Sequence, residues 1–166
     1  MPSCFIALGS NLGDRRRSIH SALSRIAALP GTKLLRTSSF YASEPWGMPP
    51  GTPGFLNACA AIETVLSPSA LLSELQRIER LLGKVKRRGA SGEYLDRPID
   101  LDVLAYGEIV VNEPGLRIPH PEMEKRRFVL APLAQIAGNF RHPVSGKTLA
   151  ALLDECPDKT RAWKAP

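Results

Sequence analysis

Apolar positions along the chain change period several times, and each change marks an expected element. Cys4–Leu8 is a short apolar run and reads as a buried strand. The turn chemistry of residues 9–14 follows. Ile19, Leu23, Ile26 and Leu29 then recur at helical spacing, until Pro30 and Gly31 stop the helix. Residues 33–42 favour a strand through Thr37, Phe40 and Tyr41. The stretch 43–54 carries Pro45, Pro49, Pro50 and Pro53 among Gly47, Gly51 and Gly54, so neither a helix nor an inner strand fits it. It is a long loop, and loops of that length usually have a job. Residues 55–65 read as the returning strand. Ser67 is an N-cap with Pro68 at the first helical position; Leu71, Leu75, Ile78 and Leu82 stripe the helix, and Gly83 ends it. A basic, glycine-containing segment, 84–97, leads into a fourth strand within 96–107.

The resulting order, β-α-β-β-α-β, predicts an α+β fold: a ferredoxin-like sandwich with helices on one face of an antiparallel sheet. Right-handed crossovers place the first and third strands in the middle. Beyond residue 107 a hairpin is expected in 108–118. Residues 119–137 lead into a helix with Pro132 in its first turn, and a last short helix covers roughly residues 146–155. The 166 residues suffice for one domain, 1–166, with a sizeable core.

Composition changes this picture little: 43% hydrophobic and 23% charged residues are ordinary for a globular protein. No apolar run approaches membrane-spanning length, and the first residues do not read as a secretion signal. Cys4, Cys59 and Cys156 are far apart and not in C-x-x-C spacing, which argues against a disulfide framework or zinc site and fits a reducing cytosol. A net charge of +6 suits a polyanionic partner, nucleotide or nucleic acid, without choosing between them.

The chemistry concentrates in "RPIDLDVLAYG", residues 97–107. In a strand, residues two apart share a face, so Asp100 and Asp102 point the same way, about 7 Å apart along the chain. Ile99, Leu101 and Val103 then face the core. Two unpaired carboxylates side by side are costly, so the pair must be solvated, paired with cations, or holding a metal. Mg²⁺ prefers oxygen ligands, keeps waters, and is usually completed by substrate phosphates. Lys84, Lys86, Arg87, Arg88 and Arg97 stand just upstream, which suits a polyphosphate covered during reaction. The plain alternatives are a solvated sheet face and a solvated loop.

"IALGSNLGD", "SSFYASEPWG", "FLNA", "RPIDLDVLAYG" and "PHPEMEKRRFVLAPLAQIA" resemble, in order, the blocks of the 6-hydroxymethyl-7,8-dihydropterin pyrophosphokinase family, over about residues 4–155. The resemblance implies a monomeric, cytoplasmic enzyme that moves pyrophosphate from ATP onto the pterin hydroxymethyl group, leaving AMP, in folate biosynthesis. It implies Asp100 and Asp102 as ligands of two Mg²⁺ ions, and Lys84 and Arg97 as catalytic cations on the phosphates. ATP contacts would come from Gln76, Glu79, Lys86, Arg97, His120 and Arg126. Pterin contacts would come from Ser43, Trp46, Phe55, Asn57 and Phe128, with the two phenylalanines as ring faces and the Asn57 amide as donor and acceptor for the edge. Without the resemblance, Gln76 and Glu79 read as a solvated helix face, His120 as incidental, and both phenylalanines as core. In the stretch before Arg97, "GEYLDR" stands where the family often reads aromatic-Gly-Pro-Arg.

Two other classes fit the element order. An RNA-binding module would display aromatics on central strands of an open sheet, and neither "CFIALGSN" nor "FLNACAAIE" has that pattern. A non-catalytic nucleotide-binding regulatory domain is the third reading; pterin-dependent AMP formation separates it from an enzyme.

Overall fold

The computed structural model describes residues 2–44, 54–83 and 98–165. Strand β1 (Ser3–Ser10) is followed by α1 (Arg15–Ala27), β2 (Thr32–Thr37), β3 (Tyr41–Ser43), β4 (Phe55–Thr64), α2 (Pro68–Leu81) and β5 (Asp100–Tyr106). A hairpin, β6 (Val111–Glu113) and β7 (Leu116–Ile118), then leads through a 3-10 turn at Met123–Lys125 to α3 (Arg127–Ala137), α4 (Leu149–Asp154) and β8 (Ala162–Lys164). The main sheet runs β5-β1-β4-β3-β8, with β2 also on β4 and every pairing antiparallel. The first and third strands of the β-α-β-β-α-β unit, β1 and β4, therefore lie inside, as the crossover argument requires.

Both helices of that unit start where their caps dictate. Asp14 accepts the Arg17 N–H at 3.1 Å, and Ser67 accepts the Ala70 N–H at 3.2 Å with Pro68 behind it. Ile19, Ala22, Leu23 and Ile26 of α1 and Leu71, Leu75 and Ile78 of α2 bury against Cys4, Ile6 and Leu8 of β1 and Leu56, Ala58, Ala60 and Ile62 of β4. Each large side chain buried there stabilises the fold by about 1.5–3 kcal/mol. After α1, Gly31 takes φ +62, and an added Cβ would sit 2.2 Å from Val65, so no side chain fits that turn.

The other face of the sheet departs from the two-layer expectation. Phe5, Cys59, Ala61, Leu104 and Ala105 pack under α3 and α4 through Val129, Leu130, Leu133, Leu149 and Leu152. The molecule thus has three layers, and each inner strand is apolar on both sides. A shift in the β1–β5 register between Phe5 and Ile6 lets the neighbours Leu104 and Ala105 share the second face, while Val103 and Tyr106 keep the first. The covered face also removes the open platform that an RNA-binding sheet needs. The three cysteines are free and buried, Cys4 under α1 and α2, Cys59 and Cys156 under α3 and α4.

Two further expectations are corrected. The strand over 33–42 is split into β2 and β3, because Ser38 leaves the pleat: its N–H bonds the Cys59 carbonyl at 2.8 Å and its hydroxyl accepts the Cys59 N–H at 2.9 Å. From α3, Gln135 holds the break, accepting the Ser39 N–H at 2.9 Å and the Tyr41 hydroxyl at 3.1 Å. Pro132 lies in the second turn of α3, not the first. Having no N–H, it leaves the Phe128 carbonyl without its helical donor, a loss the burial of Pro132 offsets.

Candidate functional site

The site is built on the α3-facing side of the sheet at one end of the strands. β5 alternates as the sequence requires: Ile99, Leu101 and Val103 are buried under α1 and α2, and Asp100 and Asp102 point to the opposite face, half-buried. Register extends this face across the sheet. Asp100 stands opposite Gly9 on β1, Gly9 opposite Asn57 on β4, and Asn57 opposite Tyr41 on β3. Asp102 stands opposite Ala7, and Ala7 opposite Cys59. Acidic pair and amide are therefore two strands apart, about 10 Å at ordinary strand spacing, with a glycine between them. A Cβ on Gly9 would lie 3.3 Å from Asn57 Oδ1 and 3.5 Å from Phe55 Cδ1, so the floor between them has no spare room.

Glu79 is a buried carboxylate, 3% exposed, that reaches from α2 to accept the Leu101 N–H at 2.8 Å. That bond holds the peptide between the two aspartates. Gln76 is half-buried on the same helix. The two positions read together as one solvated face thus have different surroundings, and the solvated reading fails for Glu79.

Asn57 is buried with its donors spent inside the protein. Nδ2 donates to Ser43 Oγ at 2.7 Å and to the Tyr41 carbonyl at 3.3 Å. This corrects the expectation of a donor and an acceptor for a ligand edge: only Oδ1, on the Gly9 side, is left to accept. Ser43 is buried as the partner of Asn57 and pairs with Phe55. Gly54 closes the base of the proline-rich segment. A Cβ there would come 2.9 Å from the Ser43 carbonyl, and Arg15 Nη1 donates to the Gly54 carbonyl at 2.9 Å.

The remaining described residues gather before and within the first turn of α3. His120 donates its backbone N–H to the Leu104 carbonyl at 2.8 Å, and its Nδ1 accepts the Glu122 N–H at 3.1 Å. The neutral ring therefore carries its proton on Nε2. Burial lowers the His120 pKa, Arg126 lowers it further, and Glu122 and Asp100 oppose them without prevailing. Arg126 precedes α3 with its guanidinium 5.8 Å from the centre of the Phe128 ring, and Phe128 is half-buried against the second core.

The structure thus brings Asp100, Asp102, Asn57, Ser43 and Phe55 to one sheet face, with Phe128, Arg126 and His120 on the elements beside it. Lys84, Lys86, Arg97 and Trp46 lie outside the described residues. Sequence reasoning missed Gly9, whose place inside an apolar strand was its signal, since a strand glycine marks close approach. It also missed Asp158, which accepts the Arg127 N–H of α3 from far downstream and has no local pattern to betray it.

A magnesium ion is implied by the resemblance, and the donors present fit one. Among the described residues no group of three or more His, Cys, Asp or Glu side chains could hold a metal, so a closed protein cage is absent there. Two carboxylates on one face supply hard oxygen ligands and leave the other positions to water and phosphate, the usual state of Mg²⁺ in phosphate-transfer sites. No helix among the described residues is long and apolar enough to cross a membrane.

Comparison with known proteins identifies the family and the fold of the chain. A family model described as 7,8-dihydro-6-hydroxymethylpterin-pyrophosphokinase (HPPK) matches residues 5–138. A 2-amino-4-hydroxy-6-hydroxymethyldihydropteridine pyrophosphokinase of Haemophilus influenzae is 46% identical over 145 residues, 87% of this chain and 88% of that protein. One from Pseudomonas aeruginosa is 42% identical over 92% of this chain and 91% of its own. A crystal structure of an HPPK-DHPS in complex with substrates superposes with a TM-score of 0.75 at 12% identity, over 93% of this chain. The present chain spans 43% of that longer one, and at such identity the likeness is one of fold.

Proposed function

The chain belongs to the 7,8-dihydro-6-hydroxymethylpterin-pyrophosphokinase family and is an ATP-using pyrophosphokinase of folate biosynthesis; we propose that its reaction runs across the row from Asp100 through Gly9 to Asn57. The acceptor, 6-hydroxymethyl-7,8-dihydropterin, lies at the Asn57 end. Asn57 Oδ1 accepts from its amino-amide edge, and Phe55 and Phe128 offer apolar faces to the ring. Ser43 acts through Asn57, holding the amide so that Oδ1 faces the ligand. Trp46 completes this wall by resemblance.

Triphosphate lies at the Asp100 end. The hydroxymethyl oxygen forms a bond to the β-phosphorus, the bond from that phosphorus to the bridging oxygen of the α-phosphate breaks, AMP leaves, and the hydroxyl proton passes to solvent. Little covalent work falls to the protein, whose part is positioning and charge stabilisation. Asp100 and Asp102 hold magnesium, two ions by the resemblance, and the metal when bound neutralises phosphate charge. His120 offers its Nε2 proton to a phosphate oxygen, Arg126 offers its guanidinium, and Gln76, half-buried on α2, is assigned to the nucleotide by resemblance. Lys84, Lys86 and Arg97 are assigned to the phosphates by resemblance. Glu79 serves by holding the strand between the aspartates rather than by reaching the nucleotide. We extend the reading to a monomeric cytoplasmic enzyme, one domain over 1–166, acting on small molecules.

The observation that supports this assignment is the cross-strand row, in which Asp100, Asp102 and Asn57 share one face and only a glycine, Gly9, stands between the acidic pair and the amide. Its test is AMP formation from ATP and Mg²⁺, dependent on the pterin. The pair Asp100→Asn, Asp102→Asn should slow turnover by about two orders of magnitude or more, the scale of losing one transition-state electrostatic contact. Pterin binding in the absence of nucleotide should stay intact. Near-normal turnover in that variant would refute the metal assignment.

A further inference from the structure

The C-terminal segment lies beyond Gly138, where the family match ends, and it touches both walls assigned above to the pterin. α3 begins without a cap of its own. Arg126 fills the N-cap position without a side-chain capping bond to the helix, and no acidic residue stands in the first turn. The missing carboxylate comes from Asp158. Its Oδ2 accepts the Arg127 N–H at 3.1 Å, and its carbonyl accepts Arg127 Nε at 3.2 Å. Oδ1 is fixed in turn by the Thr160 N–H at 2.9 Å and the Thr160 hydroxyl at 2.6 Å. A few residues on, β8 pairs with β3, with Ala162 opposite Ser43 and Lys164 opposite Tyr41. The Ala165 N–H bonds the Phe40 carbonyl at 2.8 Å. One short run of chain therefore grips the first turn of α3 at one end and β3 at the other. Phe128 stands in that turn; β3 carries Ser43, and its Tyr41 carbonyl holds Asn57.

We propose that Asp158 is a positioning residue for the pterin, capping α3 from outside the helix and fixing Phe128 relative to the strand that carries Ser43. The inference rests on the assignment of Phe128 and Ser43 to the pterin wall. An uncapped first turn leaves its N–H groups unsatisfied and frays. Fraying would blur the placement of Phe128 and, of the described residues assigned to the nucleotide, would reach Arg126 at the N-cap position, while Asp100, Asp102 and Gln76, on other elements, stay where they are. The effect should therefore fall on the acceptor substrate more than on ATP.

Full-length variants test it: Asp158→Ala, Asp158→Asn, Phe128→Ala and the double variant Asp158→Ala, Phe128→Ala, each measured for pterin dissociation constant, KM for both substrates, and kcat. Asp158→Ala should weaken pterin binding by about three- to tenfold, the scale of a lost helix cap, with KM for ATP within about twofold. Asp158→Asn keeps an oxygen for the Arg127 N–H and should recover most of that affinity; Asp158→Glu, whose longer side chain moves the carboxylate off that N–H, takes the place of the alanine variant if it folds poorly. In a Phe128→Ala background, Asp158→Ala should cost little more, because both act on one contact. Equal weakening of both substrates, no recovery with asparagine, or full additivity with Phe128→Ala would each overturn the proposal. If Phe128→Ala alone leaves pterin affinity unchanged, the pterin wall itself is misassigned; that result is read without any Asp158 variant and so is distinct from failure of the cap.

Discussion

Gly9 shows how much a single missing side chain can decide. It lies between Asp100 and Asn57 in the sheet, and its would-be Cβ already meets Asn57 Oδ1 and Phe55. Gly9→Val should therefore crowd the floor where acceptor and phosphate meet. Overpacking of this kind costs about 1–3 kcal/mol, and KM for the pterin should rise about tenfold while the protein stays folded by thermal melt. An unchanged KM would show that no ligand crosses this floor. The aspartates were legible from period-two alternation alone, because that rule is local. The Asn57 donors were not, since Ser43 and Tyr41 reach it across a strand pair formed only in the folded sheet.

Among elements, α2 and β5 are tied by a contact that local pattern half-announces. Leu71, Leu75 and Glu79 follow one another at four-residue spacing, so an acid stands in the apolar stripe. Such a residue must find a partner on the packed side, and Glu79 finds the Leu101 N–H. Glu79→Ala would leave that buried N–H unsatisfied, a cost of about 1–3 kcal/mol, and loosen the strand between the aspartates. We expect a lower melting temperature and lower kcat/KM for ATP, with Glu79→Gln, still an acceptor, close to wild type. If glutamine is as damaging as alanine, the carboxylate charge matters rather than the strand bond. Helix starts at Ser67 and strand order were readable because caps and crossovers are short-range or chiral rules. The split between β2 and β3 and the strand β8 were not. The first depends on Ser38 meeting Cys59, and the second is three residues long, too short for any period to show.

For the whole molecule, acid should erode stability in two stages of the same sign. The His120 pKa lies below 6.5, so as pH falls through that region the unfolded chain takes up the proton first and the native state loses ground. Burial would raise the Asp158 carboxyl, but the two bonds from Thr160 and the N–H and charge of Arg127 outweigh it and hold the group below its ordinary 3.8. Its contribution is thus complete above that value and is lost as pH falls through the lower native one. Denaturation midpoints of the apoprotein from pH 3 to pH 8 should show both stages. His120→Asn should flatten the first and Asp158→Asn the second; a wild-type curve level between pH 5 and pH 7 would contradict the histidine stage.

The two faces of the sheet also carry built-in reporters. Burial pushes the Cys4 thiol up to about 12 and that of Cys59 higher still, so neither forms much thiolate near neutrality while its cover stays in place. Alkylation must wait for a local opening, Cys4 timing departures of α1 and α2, and Cys59 those of α3. Mass-resolved labelling of the unmodified protein would then clock each side of the sandwich separately and reveal whether filling the substrate cleft quiets one side before the other.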